Sequence, residues 1–252
     1  MRIIAIINQK GGVGKTTTTM NLAHALAQQG HKVLAIDLDP QANLTVGFGA
    51  IKKPQSGIAD VLIDDRPIQE VIHGVRDNLE LIPAGDRLGE FEYRREKGPK
   101  RGFLLQNSIR DSIDKKDFVL IDCPPTSGIL GMNALLAANE VIIPVAGDFY
   151  SLQGLSRQMQ IFDYVETTLN RQTKKWLVLT RYNDRRKLAR EVRDSVVHYF
   201  PNRVLQTPIR ETVALAESPA FGKTIFDYRK KNRGAEDYRQ LANDILGGRV
   251  GN

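Results

Sequence analysis

Gln9-Lys10-Gly11-Gly12-Val13-Gly14-Lys15-Thr16-Thr17 is the run of this chain richest in residues able to do chemistry. Glycines let successive backbone N–H groups turn toward one concavity, and a helix beginning there adds the positive end of its dipole. Such a cradle, made by Gly11, Gly12, Val13, Gly14 and Thr17, fits phosphate. Lys15 is spaced to reach the β- and γ-phosphates of a nucleotide, and the Thr16 hydroxyl to coordinate Mg²⁺. The competing interpretation is a glycine turn that binds nothing. A chance match to six fixed residues is on the order of 10⁻⁷ per position, which favours the phosphate loop.

The run departs from the general motif, because Gln9 stands where the first glycine is usual and Lys10 follows it. One lysine serves the chain's own nucleotide. Lys10 is then either a solvated loop lysine or a neutralising charge for a nucleotide bound by a facing subunit. Carboxylates supply the rest of the chemistry. Asp122 ends the apolar run Phe118-Val119-Leu120-Ile121, where it can support a metal or cap a helix. Asp37 and Asp39 lie on alternate sides of another strand end, and Asp39-Pro40 also reads as a turn-starting pair.

These groups need strands to hold them. Ile- and Val-rich runs predict strands at Arg2–Ile7, Lys32–Asp37, Leu79–Pro83, Phe118–Asp122, Val141–Val145 and Trp176–Thr180, with a helix over Thr16–Gln29. Continuous apolar strands separated by crossover segments imply an α/β fold, a mostly parallel sheet with helices on both faces. Such sheets bind ligands beyond the C-terminal ends of their strands. Gly85 to Gly102, with a Gly-Pro pair and several charges, reads as a surface loop. Residues 1–252 read as a single domain, with no repeat and no low-complexity linker. Hydrophobic residues at 41% and charged residues at 26% are ordinary for a globular protein. A lone cysteine, Cys123, excludes an internal disulfide, which fits a reducing cytoplasm. The apolar N-terminal run is too short for a signal peptide.

Lys10 to Thr17 resembles the deviant Walker A motif, KGGxGKT[ST], of the ParA/MinD family of ATPases. Asp37-Leu38-Asp39-Pro40-Gln41-Ala42-Asn43 is similar to that family's DxDPQ(G/A)N segment, Phe118 to Pro125 to its Walker B strand, and Leu215 to Lys223 to its ParA-type LSEAPSxGK segment. The resemblance covers nearly the whole chain and implies the P-loop NTPase fold of the deviant Walker A class. It implies ATP and Mg²⁺ as ligands, with Lys10, Lys15 and Asp39 catalytic and Asp39 orienting the attacking water. Thr16, Asp37 and Asp122 would serve the metal, and Asn183 and Pro208 would lie at the adenine. It further implies a head-to-head homodimer closed by ATP, with Lys10 crossing the interface. Hydrolysis would be stimulated by a ParB-like or other adaptor protein. Asp148-Phe149-Tyr150 and Gly154 match a family segment near the nucleotide and the dimer face.

The formal charge of +7 is unevenly spread. Arg171 to Arg190 and Lys223 to Arg233 are rich in Lys and Arg and poor in carboxylates. They suggest a nonspecific, salt-sensitive DNA surface that uses Arg185, Arg186, Arg190, Lys223 and Lys230, against the alternative of a merely solvated basic face. The resemblance places the chain on a ParA (Soj-like) branch that moves plasmids, chromosomes or other cargo, cytoplasmic and nucleoid-associated. It carries no N-terminal helix-turn-helix, so sequence-specific recognition is not expected. One departure bears on the DNA surface. Arg210-Glu211-Thr212-Val213-Ala214-Leu215 replaces the family's PRNVRL run, so both family arginines are absent.

Two alternatives come from other classes. A MinD-like ATPase would bind membranes through a basic amphipathic C-terminal helix, but YRQLANDILGGRVGN reads as a capped helix packed on the domain, and no membrane partner is expected. A P-loop metabolic enzyme would act on a small molecule. One cysteine does not supply the pair that nitrogenase reductase uses, and His24, His31, His73 and His198 are scattered.

Overall fold

β-Branched residues pack well on a pleated surface, and the Ile- and Val-rich runs become strands in the computed structural model. These are β1 Arg2–Ile6, β2 Val33–Asp37, β3 His73–Arg76, β4 Leu79–Ile82, β5 Phe118–Asp122, β6 Glu140–Ala146 and β7 Lys174–Thr180. Helices connect them: α1 Lys15–Gln28, α2 Asn43–Phe48, α3 Ile58–Asp64, α4 Leu88–Tyr93, α5 Leu104–Ser112, α6 Ile129–Ala137, α7 Tyr150–Leu169, α8 Lys187–Tyr199, α9 Val213–Glu217, α10 Ile225–Tyr228 and α11 Arg233–Gly247. The structure describes residues 1–49, 56–94, 98–113, 115–125, 128–147 and 150–251.

The sheet runs β3-β4-β2-β5-β1-β6-β7. Every pairing is parallel except the β3–β4 edge hairpin. Side chains alternate between faces, and the burial follows. Ala5, Ile36, Val119 and Ile121 enter one core, whereas Ile4, Ile6, Ala35 and Leu120 enter the other. The second core is closed by α1 and α11 through Met20, Leu22, Leu26, Tyr238 and Leu241. The expected fold class is therefore present, with a buried strand face covered on each side.

Register places the chemistry. Ile6 and Asp37 each pair with Asp122 on the intervening β5, so the loop after β1 opens beside two carboxylates at the strand ends.

The structure differs from the sequence expectation in three regions. The edge strand β3 was not predicted, since His73-Gly74-Val75-Arg76 has no apolar run, is partly exposed and carries a bulge. The stretch from Gly85 to Gly102 is not simply a loop. It contains α4, whose Leu88 and Phe91, three residues apart, are buried, and a short 3₁₀ turn follows at Gly98–Phe103. Strands β6 and β7 also extend past their apolar runs, to Glu140 and Lys174. Glu140 is tolerated there because Arg2 and the Trp176 indole donate to it. The C-terminal helix matches the expectation. Asn232 caps it, Gly248 ends it in the left-handed region, and Ala235, Tyr238, Leu241, Ala242 and Ile245 are buried while Leu246 is exposed. Among the described residues no helix is long and apolar enough to cross a membrane.

Candidate functional site

The loop between β1 and α1 is held at both ends. The Asn8 amide donates to the Pro144 carbonyl (2.7 Å), and its Oδ1 accepts from the Lys10 N–H (2.9 Å). On the far side the Thr180 hydroxyl, ending β7, donates to the Val13 carbonyl (2.8 Å). Gly12 and Gly14 take φ of 73° and 87°, a region only glycine enters without strain. Gly14 is the N-cap of α1 and has no side chain to fill the helix N-terminus. The free N–H groups of the first turn are left for an anion. Lys15 folds back so that its ammonium donates to the Lys10 carbonyl (3.2 Å). Burial lowers its pKa, and Asp122 pulls the other way.

The Thr16 hydroxyl donates to Asp122 Oδ2 (2.7 Å). Thr19, one turn on, donates to Asp122 Oδ1 (3.2 Å) and to the Lys15 carbonyl. Asp37 accepts from both the backbone and the hydroxyl of Thr45 (2.8 and 2.7 Å) and from the Asp39 N–H (3.2 Å). Asp37 and Asp122 are fully buried. Burial pushes both carboxyls upward, Asp37 to about 6 and Asp122 well above the ordinary range, and the charge of Asp37 adds to the second shift. Two buried carboxylates beside a threonine hydroxyl form an all-oxygen set with unbalanced negative charge. That set suits Mg²⁺, which takes one or two protein oxygens and completes its shell with phosphate and water. Asp39 is also buried and starts a turn, its Oδ1 accepting from Gln41 N–H (2.9 Å) and its carbonyl from Ala42. Turn and site are thus compatible uses of one residue.

Beyond the loop lies a cleft of about 350 Å³ lined by Gly12, Gly14, Thr17, Thr180, Arg181, Ile209 to Thr212, Leu215, Ala216 and Tyr238. Its size and its mixed lining, with Ile209, Leu215, Ala216 and Tyr238 beside polar groups, suit a nucleoside. Asn183 and Pro208, the expected adenine contacts, do not line it. Asn183 organises a turn through Arg185 and Arg186, and Pro208 faces an adjoining cleft.

Arg185, Arg186, Arg190, Lys223 and Lys230 are all exposed. Arg186 lies 3.9 Å from Glu211, which also pairs with Arg181 at 3.0 Å. Arg190 donates to the Asp184 carbonyl. Arg210 pairs with Asp237 and shares a rim with Lys230, Lys231, Arg233 and Arg239. Of the first basic run Arg181 lines the cleft beyond the loop, whereas Lys174 and Lys175 lie at the opposite end of β7; of the second, Lys230, Lys231 and Arg233 line a neighbouring cleft that shares Arg210 with it. Of the segment Asp148-Phe149-Tyr150, Asp148 and Phe149 lie outside the described residues, and Gly154 falls within α7.

Sequence reasoning missed Asn8, Thr19, Thr45 and Thr180. Thr19 was recoverable, since it lies three residues from Thr16 on one face of a helix. The others act through contacts far apart in the chain and leave no local signal.

A family model described as an AAA domain matches residues 1–175. The chromosome partitioning protein ParA of Myxococcus xanthus is 39% identical over 97% of this chain and 88% of its own. The sporulation initiation inhibitor protein Soj of Bacillus subtilis is 38% identical over 97% and 98%. A putative plasmid partition protein from Borrelia burgdorferi bound to AMPPNP superposes with a TM-score of 0.84 at 26% identity, covering 98% of each chain. Cobyrinic acid a,c-diamide synthase from Mycobacterium smegmatis, with a bound ATP analogue and magnesium, gives 0.83 at 30% identity over 98% of this chain and 94% of its own.

Proposed function

This chain belongs to the ParA/Soj family of P-loop ATPases, with ATP and Mg²⁺ as its ligands, and from that premise we propose that it is a nucleotide-controlled DNA-binding switch. ATP closes a homodimer, the dimer holds DNA without regard to sequence, and a ParB-like or other adaptor stimulates hydrolysis to release it. The cycle segregates or positions a plasmid, a chromosome or another cargo on the nucleoid.

The observation that carries the reading is that Arg181, from one basic run, lines the cleft beyond the phosphate loop, and Arg210 on its wall also lines the neighbouring cleft with Lys230, Lys231 and Arg233 from the other. Closing that cleft around ATP in a dimer would move the same arginines and lysines. Phosphoryl transfer requires positioning and charge neutralisation more than covalent chemistry by the protein. Gly11 to Thr17 bind the phosphates, and Lys15 leaves the Lys10 carbonyl to reach them. Asp122 holds Thr16 in place and, with Asp37, balances the metal. Mg²⁺, held by Thr16 with Asp37 and Asp122 behind it, would supply charge neutralisation on the phosphates. Asp39 orients the attacking water, and Lys10 neutralises phosphate across the dimer interface. Residues 1–252 act as one ATPase domain.

The experiment is a solution mass measurement with ATP, ADP and no nucleotide, using Asp39→Ala to slow turnover. A dimer with ATP alone, abolished by Lys10→Ala while ATP still binds, supports the reading. A monomer in all three states sinks it. The likeness to the diamide synthase would then favour a small-molecule carboxylate as the target.

A further inference from the structure

A nucleotide whose phosphates lie on Gly12, Gly14 and Thr17 must extend its nucleoside along the cleft beyond them, where Arg210 forms part of the wall. Arg210 is built into that wall with unusual firmness. Its backbone N–H donates to Asp237 Oδ2 (2.9 Å), and its Nε lies 3.1 Å from each oxygen of the same carboxylate, which also accepts from Nη2. Asp237 is 4% exposed and comes from α11. The backbone is pinned on both sides as well, by Tyr182 N–H to the Ile209 carbonyl (3.0 Å) and Glu211 N–H to the Tyr182 carbonyl (3.2 Å). A guanidinium carries five N–H donors in a rigid plane, and Asp237 takes one edge of it. The side chain is 41% exposed, and Arg210 borders the adjoining cleft that contains Pro208. A base lying in either cleft therefore meets it.

We propose that Arg210 is a nucleoside-contacting residue, its guanidinium plane laid against the purine in a cleft also lined by Ile209 and Leu215, with Asp237 as the residue that positions it. A planar, weakly hydrated guanidinium stacks on an aromatic face in a way that lysine does not. The carboxylate fixes the plane before the ligand arrives, so little side-chain freedom is lost on binding. The inference concerns the ATP site alone and stands apart from dimerisation and DNA binding.

The test is calorimetric titration of ADP, ATP and inorganic tripolyphosphate, each with Mg²⁺, into the wild type, Arg210→Ala and Arg210→Lys. The contact predicts about tenfold weaker ADP and ATP binding in Arg210→Ala, within the range of a partly desolvated cation–π contact, with tripolyphosphate affinity unchanged. Arg210→Lys keeps the charge but loses the plane, and so should remain weak toward both nucleotides. Equal weakening of nucleotides and tripolyphosphate would overturn the proposal, since Arg210 would then act only as a charge on the phosphates. Unchanged affinity for all three overturns it too. Should tripolyphosphate bind too weakly to titrate, the ATP-to-CTP affinity ratio decides: it shrinks if Arg210 stacks on the purine and stays constant if it does not. Arg210→Gln, which retains an N–H for Asp237, carries the same comparison if the alanine variant does not fold.

Discussion

Asp122 does most to join the loop to the sheet, because it accepts from both Thr16 and Thr19 while lying fully buried against Asp37. The two carboxylates repel one another and are poorly solvated, so without a cation they oppose folding. Asp122→Asn should therefore lower Mg²⁺-dependent hydrolysis on the order of 10–100-fold, as loss of a group that orients a metal ligand does. The nucleotide-free protein should meanwhile unfold at no lower temperature. Turnover and thermal midpoint, measured on one preparation at neutral pH, check both halves. A variant with full turnover would remove Asp122 from the site. Phosphate-loop residues were legible in the sequence because the chemistry demands fixed types at fixed spacing. Asn183 and Pro208 do not line the cleft beyond the loop, whose wall is assembled from the end of β7, the segment Ile209 to Thr212, α9 and Tyr238 of α11. No spacing rule reports which side of a loop faces inward.

Among the elements, α1 links the phosphate loop to the segment from Ser218 to Tyr228. Asn21 Oδ1 accepts from the Ile225 N–H (2.8 Å), and His24 Nδ1 lies 2.6 Å from the Thr224 hydroxyl. Burial depresses the His24 pKa to about 4, with Asp227 raising it and Arg76 lowering it. The unfolded chain thus binds a proton at higher pH than the folded one. Stability tied to this group is present above about pH 6.5 and is lost as pH falls toward about 4. The full loss is about 3 kcal/mol. Urea unfolding at pH 7, 5.5 and 4.5 should show it, and His24→Gln should flatten that part of the profile. A second coupling lies between α2 and the same segment. Gly49 and Gly222 both have positive φ (63° and 62°), and a Cβ on Gly49 would meet the Gly222 carbonyl at 2.5 Å. Gly222→Ala should cost more than the about 1–2 kcal/mol expected for the left-handed conformation alone, as read from a denaturant midpoint. A smaller loss would mean that the two backbones can separate. These couplings were invisible in the sequence, as were the β3 edge strand and α4. Long apolar runs announce buried strands, while short exposed elements held by tertiary contacts do not.

For the whole molecule, the sheet brings the phosphate loop, the carboxylates and the cleft beyond them to the C-terminal ends of its strands, with Arg181 in that cleft and Lys230, Lys231 and Arg233 in the adjoining one. Glu211, in place of a family arginine, pairs with Arg181 and approaches Arg186. The positive surface must then rest on residues farther out. If Arg185 and Arg186 each meet a phosphate, replacing both with alanine should weaken DNA binding and reduce the salt slope by about 2, since each lost phosphate contact removes close to one unit. An unchanged slope would move the surface elsewhere. The central claim, that ATP switches DNA binding on, is met most directly by titrating random-sequence duplex DNA with the protein in ATP, ADP and no nucleotide, across a salt series. The account predicts tight, steeply salt-dependent binding in ATP and little in the other two states. Equal binding in all three states, or none in any, would contradict it.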